Sequence, residues 1–120
     1  MDGYVSAHHA LINITFHLPH KPDFDIEYVI DTGFVGYLTL PLNVIQIMEL
    51  PFIRRMPANL ADNSTIFVEV YAATFFWNGE LREEEVLATG IRPLAGTLLL
   101  NGTNLNVQFS EGGLVGIDML

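Results

Sequence analysis

Cysteine is absent from the 120-residue chain. Its absence excludes disulfide bonds, thiolate zinc sites and cysteine nucleophiles. Long hydrophobic runs are missing as well: no stretch of about 18 apolar residues occurs, so the sequence predicts no transmembrane helix. The first residues also lack the basic and apolar regions of a signal peptide, and a cytoplasmic location is the expectation.

Basic side chains are scarce. The chain has five basic and 14 acidic side chains, which gives a formal net charge of −9. Such a surface repels phosphate backbones and anionic lipids, so we expect neither a nucleic acid nor a membrane as a partner. Half of the residues are hydrophobic, as in a folded globular protein. The length suits a single domain spanning residues 1–120.

The main pattern in the sequence is an alternation of apolar and polar residues, which is typical of half-buried β-strands. It covers residues 10–18 and 24–30, on either side of a turn, and predicts a β-hairpin. A third segment, residues 66–76, is apolar on both parities and predicts a long strand covered on both faces. Asn78-Gly79 follows it and predicts a tight turn into a partner strand.

The other predicted elements are shorter. They are extended segments at 35–40, 81–88, 105–109 and 114–120, a helix between Pro41 and Pro51, a helical turn at 97–100, and an irregular stretch at 51–63. Many short strands with two short helices, and no regular exchange of strand for helix, predict a mostly-β fold of the sandwich or barrel type.

One acidic residue stands at the end of a predicted apolar strand. Asp31 follows the strand at residues 24–30 and precedes Thr32 and Gly33. Burial of a carboxylate is costly unless the group is paired or hydrogen-bonded. Thr32 supplies a hydroxyl, and Gly33 allows a backbone N–H to come close. The pattern suits a catalytic carboxylate, and an Asx-turn that only caps the strand is the alternative.

Asp31-Thr32-Gly33 resembles the active-site loop of the retropepsin-like aspartic peptidases, in which Asp-Thr/Ser-Gly follows a hydrophobic strand. A second signature of that family is two apolar residues and a glycine before a short helix, and Leu94-Ala95-Gly96 matches it. With Phe34 after the triplet, the chain looks like a member of the bacterial and archaeal Asp-Thr-Gly-Phe branch. The resemblance implies a retropepsin-like acid-protease β-barrel or sandwich with one or two short helices and one lobe per chain.

The resemblance also implies the residues of a site. Asp31, Thr32 and Gly33 would be catalytic, without a cofactor or a metal, and a β-hairpin flap would cover the cleft. The substrate-binding residues that it implies are Phe34, Val35, Ala61, Asp62, Asn63, Ser64, Leu94 and Ala95. For the segment 61–64, the proposed tip of the flap, an ordinary surface turn is the alternative.

Aspartic peptidase chemistry needs two carboxylates that share one proton, because like charges in contact cannot both ionise. The chain has one Asp-Thr-Gly, so a second copy must supply the other carboxylate across a two-fold axis at Asp31. The predicted function is therefore a homodimeric endopeptidase acting on peptide or protein substrates. A catalytically silent dimeric module for peptide binding or assembly is the alternative. The resemblance also implies that the apolar segment 114–120 pairs with the partner's chain ends, and closure of its own subunit's sheet is the alternative.

Overall fold

The computed structural model describes all residues from Met1 to Leu120 and is mostly β, as predicted. The strands are β1 (Asp2–Ser6), β2 (His9–Phe16), β3 (Phe24–Ile30), β4 (Leu38–Leu40), β5 (Phe52–Asn59), β6 (Thr65–Trp77), β7 (Glu80–Ala88), β8 (Leu94–Ala95), β9 (Thr103–Val107) and β10 (Leu114–Met119). The helices are α1 (Leu42–Met48) and α2 (Thr97–Leu100). Neither helix has the length and apolar character needed to cross a bilayer.

All strands belong to one sheet, in the order β5-β6-β7-β4-β8-β3-β2-β1-β10-β9. β6 also pairs with β2, where Phe75 lies opposite Phe16, and the His17 N–H donates to the Thr74 carbonyl at 2.9 Å. This second pairing closes a ring of strands, β6-β7-β4-β8-β3-β2. β5 lies outside the ring beside β6, and β1, β10 and β9 continue the sheet beyond β2.

The hairpin predicted for residues 10–18 and 24–30 is present as β2 and β3. Its inner face is buried as the alternation predicted: Ile12, Ile14 and Phe16 are at most 1% exposed. Burial of each such side chain contributes about 1.5–3 kcal/mol. These residues belong to one continuous core of 19 buried residues, as expected for a single domain.

Residues 51–63, which were expected to be irregular, contain an edge strand, so that prediction was wrong. β5 pairs with β6 along its length, with a bulge between Phe52 and Arg54. Pro57 is tolerated because the outer side of an edge strand has no partner for a backbone N–H. Most residues of β5 are exposed on both faces, and a strand without a buried face has no alternation to reveal it.

The prediction that β6 is covered on both faces was also wrong. In the first part of the strand the buried residues are at even positions, Val68 and Val70. In the second part they are at odd positions, Ala73, Phe75 and Trp77. The strand therefore changes its buried face between Val70 and Ala73, where it passes from the β5–β6 hairpin into the ring. The apolar residues on both parities reflect this change and not a double cover.

The smaller predictions are mostly confirmed. α1 begins after Pro41 but ends at Met48, because Glu49 adopts a left-handed conformation with φ 56°. Asn78 and Gly79 form the predicted turn, and their φ values of 50° and 82° suit a type I′ hairpin. The C-terminal segment forms β10, which pairs with β1 and β9 and so closes the sheet of its own chain. β1 itself was not predicted.

Candidate active site

Asp31 stands directly after β3, where the chain leaves the ring. Its backbone N–H donates to the Ala95 carbonyl at 2.9 Å, and its own carbonyl accepts the Phe34 N–H at 3.2 Å. The side-chain Oδ1 accepts the Gly33 N–H at 2.9 Å. This is the geometry of an Asx-turn, which fits both the catalytic and the capping interpretation. The residue is only partly buried, so its carboxylate is oriented by the chain and still reachable from solvent.

The second motif lies against the Asp31 loop. β8 pairs in parallel with the end of β3, which brings Ala95 level with Ile30. Three backbone N–H groups beyond β8 then donate to carbonyls of the loop: Gly96 to Tyr37 at 2.9 Å, Thr97 to Phe34 at 2.9 Å, and Leu98 to Gly36 at 3.1 Å. The start of α2 therefore holds the loop from residue 34 to residue 37, and the two motifs form one structural unit.

The Phe34 ring lies against two glycines. A Cβ atom at Gly36 would lie 2.4 Å from the ring, and one at Gly96 would lie 2.6 Å from it and 2.4 Å from the Gly36 carbonyl oxygen. Phe34 therefore contributes packing beneath the loop. Its neighbour Val35 is 76% exposed and points away from the core.

The side chains of β8 differ in what they can contact. Ala95 is fully buried and belongs to the core, so its contribution to the site is the carbonyl that accepts the Asp31 N–H. Leu94 is partly buried, and its backbone N–H donates to the Thr39 hydroxyl at 2.9 Å. In the single chain, Leu94 is therefore the only one of the pair with side-chain surface available to a substrate.

The predicted flap is a hairpin, formed by β5 and β6 with Ala61, Asp62, Asn63 and Ser64 at its tip. Asp62 Oδ1 accepts the Ser64 hydroxyl at 2.5 Å and the Ser64 N–H at 2.9 Å. These two hydrogen bonds, the hydroxyl first, lower the pKa of the Asp62 carboxyl. No hydrogen bond joins the tip to Asp31, and all four tip residues are exposed.

A cavity of about 150 Å³ opens beside the Asp31 loop. Its lining comes from four separate segments: Val35, Gly36 and Tyr37 of the loop, Arg54 and Met56 of β5, Glu85 and Leu87 of β7, and Leu98 of α2. Of these residues, only Val35 is among the substrate-binding residues that the sequence analysis names. No local signal in the sequence distinguishes Glu85 from its neighbours Glu83 and Glu84.

Other parts of the surface offer less chemistry. A cavity of about 420 Å³ lies at the Asn78–Gly79 end of the molecule, and the Asp31 loop does not line it. No group of three or more His, Asp or Glu side chains is placed to hold a metal ion. His17 contacts Asp23 at 3.1 Å instead of another histidine.

Comparison with known proteins found no matching family model, no matching curated protein and no matching solved structure.

Proposed function

We propose that the chain is an aspartic endopeptidase of the retropepsin type that acts as a homodimer. The observation that carries the proposal is the Asp31 carboxylate, which is oriented by the Gly33 N–H at 2.9 Å and left partly exposed at the end of a core strand. An aspartate that only caps a turn does not require a second motif hydrogen-bonded to its loop. Here the Leu94-Ala95-Gly96 segment holds both the Asp31 N–H and the loop that follows.

A second copy completes the proposed site. The isologous contact sets Asp31 of one protomer against Asp31 of its partner. One feature of the loop suits such a contact. Thr32 is exposed and its hydroxyl has no hydrogen-bond partner within the chain, so it is available to bond across the axis.

The proposed mechanism divides the work between the two carboxylates. One Asp31, ionised, takes a proton from a water molecule held between the pair. The other, protonated, donates to the carbonyl oxygen of the scissile peptide bond. The water, now without that proton, attacks the carbonyl carbon, and a tetrahedral intermediate forms. The carboxyl that took the proton then gives it to the nitrogen of the scissile bond, and the C–N bond breaks to release an amine and a carboxylic acid. Gly33 contributes by holding Oδ1 of Asp31 with its N–H.

The β5–β6 hairpin is the proposed flap. An extended peptide presents its own N–H and C=O groups, which backbone groups of an exposed hairpin edge can bind. β5 is an edge strand of the sheet, so its outer side is free for such bonds. Closure of the hairpin over the peptide would exclude bulk water from the carboxylate pair.

Cleavage of a diverse peptide library between about pH 3 and pH 8 tests the proposal. The wild type should cleave with a bell-shaped pH profile, because one carboxyl must be ionised and the other protonated. Asp31→Asn should reduce kcat/KM by about 10²–10⁴-fold or more, since both proton transfers depend on the pair. The matched control is Asp118→Asn, which removes one exposed carboxylate from β10 and should cleave like the wild type.

Two results would contradict the proposal. Wild-type rates in a folded Asp31→Asn variant would show that this carboxylate has no catalytic part. Absence of any cleavage by a wild-type protein that is dimeric in solution would favour the silent binding module.

A further inference from the structure

The cavity beside the Asp31 loop is suited to one side chain. Its volume of about 150 Å³ is well below the roughly 300–1,000 Å³ of pockets that take drug-sized ligands. Apolar cavities of about this volume accept a group the size of benzene. Five of the eight lining residues are hydrophobic, so the walls favour an apolar group over a charged one.

A salt bridge lies among these apolar walls. Arg54 Nη1 and Nη2 donate to the two carboxylate oxygens of Glu85 at 2.6 and 2.8 Å, a bidentate arrangement. The two residues come from strands that are not neighbours, since β6 lies between β5 and β7. Arg54 of β5 stands opposite Val70 of β6, and Val70 stands opposite Leu87 of β7. The side chains of Arg54, Val70 and Leu87 therefore lie on one face of the sheet, the face next to the Asp31 loop.

The pairing removes the net charge from this wall. The hydrogen bonds from Arg54 lower the pKa of the Glu85 carboxyl, and those to Glu85 raise the pKa of the guanidinium, so both groups stay charged and paired at neutral pH. Their side chains are 46% and 41% exposed, which leaves each group within reach of a ligand. Loss of either partner would leave a single charge on the wall of an otherwise apolar cavity.

We propose that the Arg54–Glu85 salt bridge determines the specificity of this cavity, and that the cavity takes an uncharged, apolar side chain of a peptide substrate. The inference rests on the proposed peptidase function, because it places the cavity within the substrate-binding cleft. Each charge neutralises the other, so neither an acidic nor a basic substrate side chain is attracted into the cavity. An apolar side chain gains from the contact with Val35, Met56 and Leu98.

The test removes each charge separately. In Arg54→Met the unpaired carboxylate should favour lysine or arginine at one substrate position, and in Glu85→Gln the unpaired guanidinium should favour aspartate or glutamate there. Because the groups are half-exposed, the expected change in preference is roughly fivefold in each direction. Arg54→Glu combined with Glu85→Arg rebuilds the pair in reverse and should restore the apolar preference.

The readout is a peptide library that varies one position at a time, used in two ways. Cleavage is followed with Asp31 present, and binding is followed in the non-cleaving Asp31→Asn background. The matched controls are Lys21→Met and Glu49→Gln, which break an exposed salt bridge of 3.2 Å that does not line the cavity. These controls should keep the wild-type preference.

The outcomes separate this inference from the proposed function. Opposite changes in the two single variants support it, whether they are seen in cleavage or in binding alone. Asp31-dependent cleavage with unchanged preferences, or with the same change in both variants, overturns the inference and leaves the peptidase intact. Absence of both cleavage and peptide binding overturns both.

Discussion

Gly96 illustrates, at the scale of single residues, how little space surrounds the Asp31 loop. Its position would place a Cβ atom 2.4 Å from the Gly36 carbonyl oxygen and 2.6 Å from the Phe34 carbonyl oxygen. Backbone atoms cannot turn away as the end of a flexible side chain can. A methyl group at this position therefore has to displace the loop or the start of α2, which are hydrogen-bonded to each other beside Asp31.

Gly96→Ala should destabilise the protein by about 1–3 kcal/mol, the usual cost of overpacking. Gly116→Ala in β10 is the matched control, since nothing lies within 4 Å of its added Cβ. Alanine also restricts the unfolded chain, so the control should be neutral or more stable by up to about 1 kcal/mol. Urea unfolding of both variants measures the difference, and equal midpoints would contradict the packing described for the loop.

At the scale of elements, the β5–β6 hairpin depends on its tip for local order. Asp62 holds the tip through the Ser64 hydroxyl and N–H. The pKa of this carboxyl is lowered from its ordinary value of 3.8. Because the pKa is lowered, the ionised carboxylate stabilises the folded tip at pH values above the ordinary pKa of 3.8. This stabilisation is lost as the pH falls through the lowered pKa.

The Ser64 amide should therefore be protected from hydrogen exchange at about pH 5 and lose that protection at acid pH. Asp62→Ala should remove the protection at every pH, because the acceptor is gone. The control is Asn59→Ala, which removes the acceptor of the Thr65 hydroxyl at 3.2 Å but leaves Asp62 in place. Protection of Ser64 that does not change with pH would mean that Asp62 is not what orders the tip.

At the scale of the whole molecule, charge opposes the proposed dimer. Each chain carries a formal net charge of −9, so two copies repel each other before they touch. Salt shortens the range of this repulsion, from about 30 Å at 0.01 M to about 10 Å at 0.1 M. The contact itself must then be driven by the burial of apolar surface.

The dissociation constant of the dimer should fall as sodium chloride is raised from about 0.01 M to about 0.3 M, because screening weakens the repulsion. Sedimentation equilibrium at several salt concentrations measures it. Weaker association at higher salt would indicate that attractive charge pairs across the interface outweigh the net charge.

If the two protomers share one active site, mixing the wild type with an inactive variant should inhibit the wild-type activity. An Asp31→Asn chain that joins a wild-type chain leaves the pair with one carboxyl, so the mixed dimer should be inactive. With random exchange, activity per wild-type chain should fall to about half at equal amounts and to about a tenth at ninefold excess. Activity that is unchanged by the variant would place a complete site within one chain. Addition of more wild type is the control and should raise total activity in proportion.

Much of the framework could be predicted from the sequence, because the deciding signals are local. The alternation in residues 10–18 reports a buried face of β2, and Asn78-Gly79 reports a turn that needs positive φ at both positions. The position of Asp31 at the end of an apolar strand was visible in the same way. The residue pattern did not predict β5, and only the resemblance implied a hairpin there, since an exposed edge strand is defined by its pairing with β6 and not by its own pattern.

The sequence by itself determined a mostly-β chain with a carboxylate and two glycines at the end of a core strand, since strand periodicity and turn chemistry act over a few residues. Only the tertiary structure decided which distant segments meet there. The closure of the ring by β2 and β6, the parity change along β6 and the Arg54–Glu85 pair all depend on long-range pairing. Such contacts join residues that are far apart in the sequence, and the residues around each of them give no signal of the pairing.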